Sequence, residues 1–230
     1  MLKLVGFFLA TLVVLVVLRE IPVLGRVFEV PILGFWGAAI LVALVASRFA
    51  SAGVARAGVK RKLRELQGVD TPHNLGKRGA LLLASGRLRA ALEPLRAAVR
   101  GEPESLEWRY RLGLAELATG SASAAVEALS EVARRDEEYA YGAVQLALAR
   151  ALEREHRFDD AHDALLVFER NHGASPESAC RRGLLLKRLG RRDEARVVLA
   201  GVPALTRRAA GKQKEGAAGW YWRALFARWV

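Results

Sequence analysis

Four times in this chain a glycine or alanine is followed twelve residues later by an alanine, and four residues after that by a leucine: Gly79/Ala91/Leu95, Gly113/Ala125/Leu129, Ala149/Ala161/Leu165 and Gly183/Ala195/Leu199. The register advances by 34, 36 and 34 residues. Small residues at a fixed separation let two antiparallel helices approach to about 8 Å, and a period of about 34 residues is that of a stacked helix-turn-helix unit. An all-α solenoid of about four repeats is therefore expected over 72–205. The two extra residues between the second and third repeats fall where Asp136, Glu137 and Glu138 interrupt the apolar pattern, which places them in a loop.

The pattern resembles the tetratricopeptide repeat (TPR) family. That family's small residue at the eighth position matches Gly79, Gly113 and Gly183, its alanine at the twentieth matches Ala91, Ala125, Ala161 and Ala195, and its closing proline matches Pro103. Departures are Ala149 in place of a glycine, Leu82, Glu116, Leu152 and Leu186 where the family has an aromatic, and Trp108 one residue early. The resemblance implies a ligand groove lined by the first helix of each repeat. Its positions fall on Gly76, Ala80, Leu83 and Ala84, then Tyr110, Leu114, Leu117 and Ala118. The third repeat supplies Leu146, Arg150, Glu153 and Arg154, and the fourth Cys180, Leu184, Lys187 and Arg188. The groove is thus expected to be apolar at one end and basic at the other, with Tyr110, Leu114, Arg150, Arg154, Lys187 and Arg188 as candidate partner-binding residues. Gly76 and Ala80 stand where chaperone-binding members carry lysine and asparagine, so a chaperone-tail clamp is not expected.

Composition agrees with a helical chain: the 52% hydrophobic content comes mostly from Ala, Leu and Val, all but Val good helix formers. Pro72, Pro103, Pro176 and Pro203 stand at expected breaks, and Pro94 alone falls inside an expected helix. A single cysteine excludes an intrachain disulfide. The four histidines lack the i, i+4 spacing of a helical zinc site, and phosphate-loop, nucleophile-elbow and Cys-x-x-Cys motifs are missing, so no catalytic, cofactor or metal site is expected. The +12 formal charge raises the question of nucleic acid, but the basic residues concentrate outside the repeats, and a nucleic-acid partner is not expected.

Two apolar runs, Leu4 to Leu18 and Val30 to Ser47, suggest a transmembrane hairpin over 1–48. A cleavable signal peptide is the competing reading, opposed by Arg19-Glu20-Ile21-Pro22 where a small-residue cleavage site would stand. Arg48, Arg56, Lys60, Arg61, Lys62 and Arg64 follow the second run. By the positive-inside rule they predict an inner-membrane protein with solenoid and N-terminus cytoplasmic, in contact with anionic lipid. A basic juxtamembrane helix is expected over 49–71. The tail, 206–230, reads as an amphipathic helix with Tyr221, Trp222, Leu225, Phe226 and Trp229 on one face and Arg223, Ala224, Ala227 and Arg228 opposite. Two roles fit it: a cap that buries its tryptophans against the last repeat, or an interfacial anchor.

These readings describe a membrane-anchored, non-enzymatic adaptor holding a protein or peptide partner. The alternative is a regulator of a membrane-associated biosynthetic or envelope-assembly enzyme, because two N-terminal spans followed by such repeats are similar in layout to the HemY family.

Overall fold

A computed structural model of the chain describes Ile40, Ala43, residues 58–66, Gly68, residues 70–209 and residues 216–229. The chain divides into two compact units, Met1–Glu65 and Leu66–Val230. In the first, residues 58–65 are helical, with Arg61 Nε 3.7 Å from Glu65 Oε1. The expected hairpin at 1–48 lies, apart from Ile40 and Ala43, outside the described residues. Among the described residues no helix is long and apolar enough to cross a membrane. The longest has 17 residues and carries four arginines, against the roughly 20 apolar residues a span needs. The expected inner-membrane, two-span location is corrected accordingly.

The second unit is built of helices in antiparallel pairs: α1 (Pro72–Ala84) with α2 (Leu88–Gly101), α3 (Leu106–Thr119) with α4 (Ala122–Arg135), α5 (Ala143–Arg154) with α6 (Phe158–His172), and α7 (Pro176–Arg188) with α8 (Arg192–Arg208). A last helix, α9 (Ala217–Trp229), packs on α7 and α8. Local chemistry sets the starts of three first helices. Thr71 Oγ1 accepts from the Asn74 N–H, Ser105 Oγ from the Trp108 N–H, and Ser175 and Ser178 form a reciprocal capping box at 3.0 Å, with Pro72 and Pro176 at the N-terminal turns.

Each pair turns over at a left-handed residue, and these residues recur with the same 34, 36, 34 advance: Gly86, Gly120, His156 and Gly190. Past each, an N–H closes back on the preceding helix: Arg87 to the Leu82 carbonyl, Ser121 to Glu116, Arg157 to Leu152 and Arg191 to Leu186, all at 2.8–3.0 Å. Of the four, only His156 is not glycine.

The small residues hold the crossings. A Cβ on Gly79, Gly113 or Gly183 would lie 2.5, 2.7 or 2.5 Å from Cγ of Leu95, Leu129 or Leu199, so those leucines fill the space a side chain would need. Ala149 in the third repeat is fully buried, as are Ala91, Ala125 and Ala161, and Ala195 nearly so. The largest cluster runs through the middle of the stack, from Leu117 and Leu129 through Val144, Leu148 and Leu165 to Leu185. The two-residue insertion lies in the loop 136–142, where Ala140, Tyr141 and Gly142 are consecutively left-handed and Glu137 is held by Arg170 and Asn171.

Two features depart from expectation. α8 continues through Pro203 rather than ending there. α9 docks through its alanine face: Ala217 and Ala224 are buried, Trp220 and Ala227 are half-buried, and Trp222 and Phe226 point outward. Small side chains let α9 lie close on the α7/α8 pair, which the bulkier aromatic face would hold away.

Candidate partner-binding groove

The first helices α3, α5 and α7 share one flank, and side chains from all three line a recess of about 390 Å³. Leu114, Leu117 and Ala118 of α3 form its apolar side. Arg150, Glu153 and Arg154 of α5 and Arg181 of α7 form the charged side. The four ionisable groups carry three positive charges and one negative. The arginines are held in place. Arg150 and Arg181 both donate to Glu177 Oε1, each through Nε at 2.9 Å, and Arg181 Nη1 reaches both carboxylate oxygens of Glu153 at 3.0 and 3.1 Å. Arg154 donates to the Leu117 backbone carbonyl across the recess.

Burial by itself would raise the Glu177 carboxyl, but Arg150 and Arg181 together outweigh it and hold the group below the ordinary carboxylate range. Tyr110 lies above Leu114 on α3, edge-on to Tyr139 at 5.3 Å, and burial pushes its phenol upward against the pull of Arg150. The recess therefore offers apolar surface beside fixed guanidinium groups, a combination suited to an apolar side chain next to a carboxylate.

Of the sequence-derived candidates, Leu114, Arg150 and Arg154 line the recess, and Tyr110 stands half-buried one turn before Leu114. Leu146 packs into the central cluster. Lys187 and Arg188 are engaged elsewhere: Lys187 Nζ donates to the Ala227 carbonyl of α9 at 2.6 Å, and Arg188 lies 5.2 Å over the Phe158 ring. Cys180 is fully buried, and its thiol is pushed up to about 11 by burial, which keeps it protonated at neutral pH. Sequence reasoning missed Glu177, Arg181 and Trp220, whose ring lies 5.0 Å from the Arg181 guanidinium. The i, i+4 spacing of Glu177 and Arg181 was a usable signal, because that separation puts both on one helix face. Among the described residues no group of three or more His, Cys, Asp or Glu could hold a metal ion.

Paired helices stacked at a 34-residue period, crossing at small residues and closed by a terminal helix, define an α-solenoid built for binding rather than for a catalytic constellation. A tetratricopeptide-repeat family model matches residues 86–153, and the chain is a tetratricopeptide-repeat protein. Solved structures share the fold. MamA AMB-1 is 20% identical with a TM-score of 0.61, over 74% of this chain and 96% of that one. MamA 41-end from Desulfovibrio magneticus RS-1 is 17% identical with a TM-score of 0.60, over 70% and 97%. A thermophilic TPR protein in Thermus thermophilus is 24% identical with a TM-score of 0.51, over 67% and 87%. No curated protein matches the sequence significantly.

Proposed function

We propose that the protein is an adaptor that binds a protein or peptide segment along the flank formed by α3, α5 and α7. The observation that carries this reading is the recess between them, apolar on the α3 side and rimmed by Arg150, Arg154 and Arg181. The segment it fits places an apolar side chain against Leu114 and Leu117 and a carboxylate against Arg150 and Arg154. Arg181 acts as a positioning residue, since its Nε and Nη1 already hold Glu177 and Glu153. The alternative role, regulation of a biosynthetic or envelope enzyme, rests on the layout of residues 1–48, and no observation on the repeats favours it.

A displayed-peptide selection against the full chain tests the reading. Enriched sequences should pair an apolar residue with an aspartate, glutamate or terminal carboxylate. Their affinity should fall at least tenfold in Arg150→Ala/Arg154→Ala and stay unchanged in Val197→Ala, a control on α8 whose side chain is exposed. Enriched peptides without acidic residues, or binding indifferent to the two arginines, would remove the groove from consideration.

A further inference from the structure

α9 occupies the place of the first helix of a fifth repeat. It packs on α8 and α7 as α5 packs on α4 and α3, seating Ala217, Trp220, Ala224 and Ala227 on that side. In the earlier repeats the first helix is covered by a second helix of its own, with Gly79, Gly113 and Gly183 set against Leu95, Leu129 and Leu199. Among the described residues α9 has no such second helix. Its free flank is apolar: Trp222 is 55% and Phe226 67% exposed, their ring centroids are 6.3 Å apart, and Tyr221 lies edge-on to Trp222. Beside them, Ala218 is exposed and a Cβ on Gly219 would meet nothing within 4 Å.

The surrounding charge is one-sided. Residues 196–230 contain seven basic side chains, from Arg196 to Arg228, and one acidic side chain, Glu215. We propose that the open flank of α9 docks an amphipathic helix of a partner protein, with an apolar stripe flanked by aspartate and glutamate, seated as the second helix this repeat lacks. Ala218 and Gly219 permit the close approach that a packed helix needs and a lipid surface does not use. A second copy of this chain would bring like charge against like, so charge complementarity selects an acidic partner. The surface is separate from the recess between α3, α5 and α7.

The test titrates the full chain into a labelled, designed amphipathic peptide with a leucine stripe flanked by glutamates, read by fluorescence anisotropy. A counterpart flanked by lysines serves as control. Saturable binding is expected, weakened at least tenfold by lysine flanks and by Trp222→Ala/Phe226→Ala, and unchanged by Arg150→Ala. Both aromatics are largely exposed, and an unchanged melting temperature of the double variant shows that α9 stays docked. Failure of the glutamate peptide to bind, or equal binding to the double variant, overturns the proposal. So does capture of the chain by phosphatidylglycerol vesicles through Trp222 and Phe226 without peptide binding, which makes the flank a lipid contact. Concentration-dependent association of the chain that the same substitutions abolish overturns it in favour of self-assembly.

Discussion

The first helices of neighbouring repeats are joined by opposite means at two points of the stack. Between α1 and α3 the seam is apolar: the Trp108 ring, 2% exposed, fills the space above Gly76, where a Cβ would come within 2.4 Å of it. The indole N–H donates to Glu102 at 2.7 Å, and His73 meets the ring edge-on. Between α5 and α7 the seam is ionic, with Arg150, Glu177, Arg181 and Glu153 linked in sequence. A seam closed by a ring has nothing left to offer a ligand. One closed by exchangeable ion pairs can hold the helices and still turn a guanidinium toward an incoming carboxylate.

The sharpest way to break this contrast is to remove the ring. Trp108→Ala should cost about 3–5 kcal/mol, the range for truncating a buried large aromatic, measured by urea unfolding. Gly76→Ala should cost about 1–3 kcal/mol by overpacking in the native chain, yet little in the Trp108→Ala background. Equal costs in both backgrounds would show that the ring and the glycine are not coupled.

The ionic seam should respond less and differently. Glu177→Gln should cost about 1–2 kcal/mol, since it leaves Arg150 and Arg181 without their shared carboxylate in a half-exposed setting. Because the folded-state pKa of Glu177 lies below its unfolded value, its contribution is complete above the unfolded pKa and is lost as pH falls through the folded one. Acid titration of native and Glu177→Gln chains should therefore converge at low pH. Convergence of Trp108→Ala with the native chain over the same range would remove the distinction between the seams.

Glu116 tests what happens where an acid replaces an apolar residue on the inner side of a repeat. It is buried, with Arg96 at 3.5 Å, and burial, the larger effect, raises its carboxyl. Its native state holds a proton more tightly than the unfolded chain, so ionisation above the unfolded pKa costs stability. Glu116→Gln should stabilise the protein at neutral pH by about 1 kcal/mol, the low end for an incompletely paired buried polar group. The gain should vanish below the unfolded pKa, as thermal melts at two pH values would show. The smallest effect is expected at the third turn: His156→Gly should stabilise by about 0.5 kcal/mol, because the left-handed strain relieved exceeds the flexibility gained by the unfolded chain. A loss instead would mean that the His156–Phe158 ring contact outweighs the strain.

The pairing of α1 to α8 was legible because the repeating residues are the ones that touch: Gly79, Gly113 and Gly183 meet Leu95, Leu129 and Leu199 sixteen residues on. Half of the groove was legible for the same reason, since Leu114, Arg150 and Arg154 follow from the register. Lys187 was not, because its acceptor is the Ala227 carbonyl on a helix outside the repeat pattern. The tail was misread because a helical wheel ranks faces by hydrophobicity. Docking on a helix pair selected the smaller face, Ala217 and Ala224, and left Trp222 outside. Pro203 misled in the same manner: a local breaker signal yielded to the packing of Leu199 and Val202, which precede it in the buried cluster.

The burial of Cys180 turns the chain's single thiol into a clock. It lies in the cluster that Ala224 closes, so a thiol reagent in solution meets it only when α9 lifts away or the last repeat opens. With reagent in excess, the labelling rate counts those openings against closures, and the ratio gives the free energy of undocking one helix without unfolding the stack. Any ligand that clamps α9 slows the clock, and any that needs α9 displaced speeds it. One unmodified side chain thus reports on the terminal helix.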